Sequence, residues 1–165
     1  MTARVLVDGV EADRVSALDR GLAYGDGLFE TIRAIGGTAP LWARHMARLR
    51  EGCERLGLSA PDVDMLAGEF TCVVQHAQDC VVKIILTRGL GERGYAPSAN
   101  AAVTRVVTAF PAPALPPDWY RGGIRVRCCA LRLAAQPKLA GIKHLNRLEQ
   151  VLARAEWSDT DVVEG

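Results

Sequence analysis

The sequence has almost no net charge, no long apolar run and few lysines. Twenty basic residues face nineteen acidic ones, which gives no electrostatic reason to expect binding to nucleic acid or to an anionic membrane. No apolar stretch approaches the roughly 20 residues that a membrane-spanning helix needs. The N-terminus also lacks the basic-then-apolar layout of a secretory signal. We therefore expect a cytoplasmic protein with no nucleic-acid or membrane partner.

The five cysteines form no recognisable metal or disulfide pattern. Their number is odd, no two have the C-x-x-C spacing, and no histidine-rich stretch accompanies them. Cys128 and Cys129 are neighbours in a predicted strand, where adjacent side chains face opposite ways, so packing is their expected role. The sequence predicts neither a metal site nor a disulfide framework.

Short strands and amphipathic helices together predict an α+β fold. Hydrophobic residues make up 49% and charged residues 24%, as in globular proteins. The run at 81–87 is almost entirely aliphatic, which predicts a strand covered on both sides. Further strands are predicted at 4–7, 10–13, 28–35, 101–109, 124–130 and from Asp161, and helices at 41–56, from Pro61 towards His76, and at 144–157. The stretch 19–27 is predicted to be a glycine-punctuated loop.

A proline-rich stretch divides the chain. Half of the eight prolines lie within residues 110–117, and proline continues neither a helix nor a central strand. We interpret this stretch as an interdomain linker. The predicted organisation is an N-terminal α+β lobe over 1–110, a linker over 111–122 and the start of a second lobe over 123–165.

Only three of the basic residues are lysines. A lysine that forms a Schiff base needs an amine that can lose its proton and a rigid position beside a cavity. Lys83 lies within an apolar strand and points away from its flanking neighbours, and Lys138 follows Pro137 in a predicted loop. Lys143 directly precedes a predicted amphipathic helix. From spacing alone, an ordinary surface lysine at a helix start remains the better interpretation of Lys143.

Four segments, in order along almost the whole chain, resemble motifs of one enzyme superfamily. They are residues 19–31 (DRGLAYGDGLFET), 45–49 (HMARL), 87–89 with 93–95 (TRG and RGY), and 139–151 (LAGIKHLNRLEQV). These motifs are similar to those of the fold-type-IV pyridoxal-phosphate enzymes, the branched-chain aminotransferase superfamily. The last segment resembles the Schiff-base lysine segment of aminodeoxychorismate lyases. The resemblance implies a two-lobed fold, similar to D-amino-acid aminotransferases, with a complete first lobe and an incomplete second lobe.

The resemblance assigns the cofactor to two residues. Lys143 would form the Schiff base with pyridoxal 5'-phosphate and move protons at the substrate carbon. Arg48 would hold the cofactor phosphate, which suits a planar guanidinium able to make paired charge-assisted bonds. Without the resemblance, Arg48 is one of several solvated arginines on its helix. His144 is interpreted as a helix-start residue rather than a general base.

The resemblance assigns the substrate to four further residues. Arg93 and Tyr95 would help hold a substrate carboxylate, and Tyr24 and Phe29 would line the pocket. The alternatives from the residues alone are a mobile surface loop for the first two and ordinary core packing for the aromatic pair.

The resemblance also implies that part of the fold is missing. Superfamily members use a glutamate well downstream of the lysine to keep the cofactor's pyridine nitrogen protonated. Glu164 is the only late candidate, and it lies too near Lys143 to match. We therefore expect a truncated second lobe and a chain that is inactive by itself.

The implied reaction is the conversion of 4-amino-4-deoxychorismate to 4-aminobenzoate and pyruvate in folate biosynthesis, by a homodimer. Two alternatives stay open. One is a transaminase of the same fold, acting on D-amino acids or branched-chain amino acids. The other is a non-catalytic fragment. The run that follows Lys143, HLNRLEQ, favours the lyase.

Overall fold

A computed structural model of the chain describes residues 4–75, 79–97, 101–158 and 162–164. The chain divides into two compact units. The first comprises Met1–Ala112 with Gly141–Leu145, and the second comprises Pro113–Ala140 with Asn146–Gly165. The lobe and linker boundaries proposed above stay a prediction.

The first unit is built on a five-stranded antiparallel sheet with the order β2-β1-β5-β4-β3. Its helices α2 and α3 pack against this sheet. This mixed architecture confirms the predicted α+β class. The strands are β1 (Arg4–Val7), β2 (Val10–Glu11), β3 (Gly27–Ile35), β4 (Asp79–Thr87) and β5 (Thr104–Pro111), and the helices are α1 (Arg20–Tyr24), α2 (Trp42–Leu56) and α3 (Val63–Val74).

The two faces of the sheet are buried to different degrees. β3 and β4 pair over nine residues, from Gly27 opposite Thr87 to Ile35 opposite Asp79. Because side chains alternate along a strand, one face carries the core. Its fully buried members include Leu28, Ile32, Val82, Ile84, Leu86 and Val107. On the other face of β4, Val81, Lys83 and Ile85 are only half-buried, so the prediction that this strand is covered on both sides is wrong.

Helix ends in the first unit follow local capping chemistry. The Asp62 side chain accepts hydrogen bonds from the backbone of Asp64 and Met65, which starts α3. α3 ends at Val74, and His76, towards which the helix was predicted to run, lies outside the described residues. α1 interrupts the loop predicted at 19–27, because Asp19 caps its first turn by accepting from Gly21.

The second unit contains short elements. They are α4 (Trp119–Gly122), β6 (Arg125–Val126), α5 (Leu148–Arg154) and β7 (Val162–Glu164), with β6 and β7 parallel. The predicted strand over 124–130 is therefore limited to two residues, and the predicted helix over 144–157 to seven. Asp161 lies outside the described residues. Within the described ranges, no helix has the length and apolar character to cross a bilayer.

Candidate active site

The segment that carries Lys143 is fixed along the outer edge of β3. The Phe29 amide donates to the Lys143 carbonyl at 2.9 Å, and the Leu145 amide donates to the Gly27 carbonyl at 2.9 Å. Ile142 is buried with 6% exposure and anchors the segment in the core. Lys143 is thus held by strand pairing and not by the helix start that was predicted for it. Because 143 and 145 bond to β3, the helix begins only at Leu148.

Gly27 has no side chain at the point where this segment approaches β3. A Cβ on Gly27 would lie 2.8 Å from Cδ1 of Leu145 and would also meet the Leu86 carbonyl. A larger residue would therefore push the Lys143 segment away from the strand.

Two lysine amines approach the ring of Phe29. The Lys143 amine lies 4.3 Å from the ring centre, and the Lys83 amine lies 5.2 Å from it. Both distances are within the range of cation–π attraction. The structure thus brings Lys143 and Phe29 together. Lys83 has no predicted role, although the strand alternation already places its side chain away from the core.

Arg48 is held by a buried carboxylate that sequence analysis missed. Its Nε and Nη2 donate to the two oxygens of Glu30 at 2.7 and 2.6 Å, and Nδ1 of His45 lies 2.8 Å from the second oxygen. The Glu30 side chain is 1% exposed, whereas that of Arg48 is 44% exposed. The hydrogen bonds that Arg48 donates to Glu30 raise the pKa of the Arg48 guanidinium, against the lowering effect of burial. The sequence signal for this contact was an acidic residue, Glu30, at a core-facing position of a predicted strand.

Arg48 and Lys143 contact neighbouring residues of β3, the outer strand of the sheet. Glu30, which bonds Arg48, directly follows Phe29, whose ring the Lys143 amine approaches. The chemistry of the two residues fits pyridoxal phosphate, since an amine can bind the aldehyde and an oriented, half-exposed guanidinium can bind the phosphate. Within the described part of the chain, no group of three or more metal-ligating side chains comes together.

The predicted substrate loop contacts the first active-site loop. The Gly94 amide donates to the Tyr24 hydroxyl at 3.1 Å, and the rings of Tyr24 and Tyr95 are 5.5 Å apart. Arg20 donates to the carbonyls of Gly94 and Tyr95 at 2.9 and 3.1 Å. Tyr24 and Tyr95 are thus brought together. Arg93 is exposed on the same turn, and Tyr95 is 86% exposed.

A buried ion-pair network supports these loops. Oδ2 of Asp26 accepts from Nε of Arg20 at 3.0 Å and from Nε of Arg88 at 2.8 Å. Arg88 also donates to the carbonyls of Leu56 and Gly57, at the end of α2. Burial by itself would raise the pKa of Asp26, but the hydrogen bonds from Arg88 and Arg20 outweigh it and lower that pKa. Residue spacing does not predict this network, because it does not show that the three side chains meet in the fold.

Comparison with known proteins finds one matching family and relatives that cover most of the chain. Residues 27–165 match the family described as amino-transferase class IV. An aminodeoxychorismate lyase of Vibrio harveyi is 35% identical over 155 residues, which are 94% of this chain and 57% of the relative. A putative branched-chain-amino-acid aminotransferase of Methanocaldococcus jannaschii is 32% identical over 87% of this chain and 50% of its own length.

A solved structure is also similar to the chain. The crystal structure of 4-amino-4-deoxychorismate lyase from Pseudomonas aeruginosa is 52% identical, with a TM-score of 0.90 over 96% of this chain and 58% of that one. The chain therefore spans between half and three fifths of the length of these three proteins. The structural likeness confirms the predicted fold-type-IV architecture.

Proposed function

The chain belongs to the amino-transferase class IV family. We propose that it forms part of a pyridoxal-phosphate-dependent lyase that converts 4-amino-4-deoxychorismate to 4-aminobenzoate and pyruvate. The observation that carries the proposal is the placement of Lys143. Its backbone is bonded to β3 and its amine lies 4.3 Å from the Phe29 ring centre. The choice of the lyase rests on the 52% identity to the Pseudomonas aeruginosa enzyme and on the residues that follow Lys143.

In this proposal two residues hold the cofactor. Lys143 binds its aldehyde and Arg48 binds its phosphate. Glu30 orients Arg48 through two short bonds that use Nε and Nη2, so the guanidinium presents its remaining edge to the phosphate oxygens. When bound, the cofactor supplies an electron sink that stabilises negative charge at the substrate carbon.

The chain's own contribution to the reaction is proton transfer and orientation. With the substrate amine held at the cofactor, the Lys143 amine would take the proton from ring carbon 4. The bond between ring carbon 3 and the enolpyruvyl oxygen then breaks, and the leaving group departs with the bonding electrons. Its methylene carbon takes up a proton to give pyruvate, and the ring becomes aromatic. The atoms balance without an oxidant, a reductant or water.

The same proposal covers the remaining predicted residues. Phe29 and Tyr24 line the pocket, and Arg93 with Tyr95 helps hold a substrate carboxylate. The contact between Tyr24 and Tyr95 supports placing both in one pocket wall. We include a homodimer and a place in folate biosynthesis in the proposal. We also include a cytoplasmic location, where thiols stay reduced, because all five cysteines are free thiols.

Product analysis tests the proposed reaction. A protein of the relatives' length that contains this chain is incubated with pyridoxal phosphate and 4-amino-4-deoxychorismate, and 4-aminobenzoate is followed by fluorescence alongside pyruvate. We expect equal amounts of the two products, lost in Lys143→Ala and kept in Lys138→Ala, an exposed lysine of the second unit, whereas the 165-residue chain by itself is expected to form neither. Product formation that survives Lys143→Ala would refute the assignment.

A transaminase is the second candidate, favoured by the 32% identity to the putative branched-chain enzyme. It predicts formation of keto acid from leucine or D-alanine in place of 4-aminobenzoate. Neither product, with cofactor still bound at Lys143, would instead support the third alternative, a non-catalytic fragment.

A further inference from the structure

Lys83 places a second amine in the candidate site. It lies in the middle of β4, between Val82 and Ile84, which are both 0% exposed. Alternation along the strand turns Lys83 to the other face of the sheet, where it is half-buried. There its amine lies 5.2 Å from the centre of the Phe29 ring, the same ring that the Lys143 amine approaches.

No carboxylate neutralises Lys83 among the described residues. Its cross-strand neighbours are Thr31 on β3 and Thr108 on β5, and neither is acidic. It takes part in none of the ion pairs of the described ranges. The three buried acids of this unit have other partners: Glu30 bonds Arg48, Glu69 bonds Arg105, and Asp19 accepts from Thr87 and the Gly21 amide.

Lys83 is half-buried, and its amine has no anionic partner among the described residues. An anionic ligand that enters the site would gain a charge-assisted bond to it. The aromatic ring of Phe29 attracts the cation only weakly by comparison. Lys83 is therefore poised for an anion that the chain itself does not provide.

The proposed substrate has an anion in a suitable place. Its amine, on ring carbon 4, must reach the cofactor at Lys143, and its ring carboxylate, on carbon 1, lies at the opposite end of the ring. Resting on the proposed function, we propose that Lys83 binds this ring carboxylate while the flat face of the substrate lies against Phe29. Lys83 would then select substrates that carry an amine and a carboxylate at opposite ends of a six-membered ring.

Steady-state kinetics of a protein of the relatives' length that contains this chain test the proposal, through the balance between KM and kcat. In Lys83→Gln we expect KM for 4-amino-4-deoxychorismate to rise about ten- to hundredfold with kcat little changed, because a charged hydrogen bond is lost in binding. Lys83→Arg keeps the charge and should stay within about threefold of the parent. Lys138→Gln, a matched loss of an exposed lysine, should change neither constant. An unchanged KM in Lys83→Gln, or a loss confined to kcat, would overturn the proposal.

A binding experiment tests the same contact without turnover. The chain has three lysines, so labelling them with carbon-13 at Cε gives three assignable signals. Added 4-aminobenzoate should shift the Lys83 signal and leave that of Lys138 in place, with the Lys83 shift abolished in Lys83→Gln. A Lys83 signal that stays in place, or one that responds to pyruvate alone, contradicts a ring-carboxylate contact.

The two proposals fail in different ways. If Lys143 does not bind the cofactor, borohydride reduction leaves no label on the parent chain, and the proposed function fails. If Lys143 is labelled equally in the parent chain and in Lys83→Gln but 4-aminobenzoate leaves Lys83 unaffected, only the role of Lys83 fails.

Discussion

The two units use apolar residues differently. In the first, nine-residue strands pair in full register, and Val82 and Ile84 are 0% exposed. In the second, the paired strands have two and three residues, and the apolar side chains of α5 face solvent, with Leu148 70% and Val151 59% exposed. An amphipathic pattern therefore becomes core only where a second layer covers it. Periodicity predicts the element but not its burial.

The candidate catalytic lysine belongs to the first unit, the one with the buried core. Residues 141–145 group with the first unit although the sequence on both sides of them belongs to the second. A reactive amine gains from this arrangement, because precise placement depends on a rigid support.

The largest expected loss of stability comes from truncating a core side chain in the first unit. Ile84→Ala removes a fully buried side chain and should cost about 2–5 kcal/mol of unfolding free energy. Val151→Ala in α5 removes an exposed side chain and should change stability by about 0.5 kcal/mol or less. Urea unfolding of the two variants measures both values, and equal losses would show that the contrast between the units is wrong.

A pair of glycines sharpens the comparison further. Gly89 in the first unit and Gly123 in the second have nearly the same φ, +78° and +79°, but only at Gly89 would a Cβ collide with a backbone atom, the Ala102 carbonyl. Gly123→Ala should cost roughly 1–3 kcal/mol for the positive-φ backbone conformation alone. Gly89→Ala should cost a further 1–3 kcal/mol, roughly, for the collision. Thermal unfolding compares them, and a Gly123 variant as unstable as the Gly89 variant would contradict the account.

The ion pairs of the two units should respond differently to acid. Asp26, bonded to Arg88 and Arg20, has a pKa below its ordinary value of 3.8, so its stabilising contribution is complete above that value. The contribution is lost as pH falls through the lower folded-state pKa. Asp26→Asn should therefore cost about 1–3 kcal/mol at pH 7 and progressively less below pH 3.8.

An exposed pair in the second unit is the control for this effect. The side chains of Asp118 and Arg121 are 90% and 80% exposed, and Asp118→Asn should have almost no effect on stability at any pH. Urea unfolding at pH 7 and pH 3 measures the two variants. A gap between the parent and Asp26→Asn that widens in acid would reverse the predicted sign.

The smallest expected effect is a difference in the rate at which thiols of the two units are chemically labelled. Burial raises the pKa of the Cys53 thiol to about 11, while Cys128 in the second unit is exposed. Because the thiolate is the reactive form, a thiol reagent at pH 8 should modify Cys128 rapidly and Cys53 only after unfolding. Mass spectrometry of the labelled chain distinguishes them, and early modification of Cys53 would argue against a closed core.

Much of the first unit could be predicted from the sequence. β1 and α2 have the predicted bounds to within one residue, because both rest on local signals, strand propensity before the Asp8-Gly9 turn and a helical stripe that stops at Gly57. The start of α3 after Pro61 was predicted for the same reason. Local sequence patterns did not predict the long-range contacts. The strand-like pairing of Lys143 with Phe29 joins residues far apart in the chain, so spacing suggested a helix start.

The candidate site was predictable only in part. Resemblance pointed to Lys143 and Phe29, which the structure brings together. It did not point to Glu30, which fixes Arg48, or to Arg20, which binds the carbonyls of the 94–95 turn. Both are charged residues that pair inside the fold, and pairing of this kind depends on which elements pack together rather than on residue spacing.

The central claim is that the amine at position 143 binds the cofactor. The chain is reduced with borohydride in the presence of pyridoxal phosphate, digested, and searched by mass spectrometry for the pyridoxyl group on each of its three lysines. We expect the label on Lys143, with at most traces on Lys83 and Lys138, and its loss in Lys143→Ala. A label on Lys83 in the parent chain, or spread equally over all three lysines, would contradict the account.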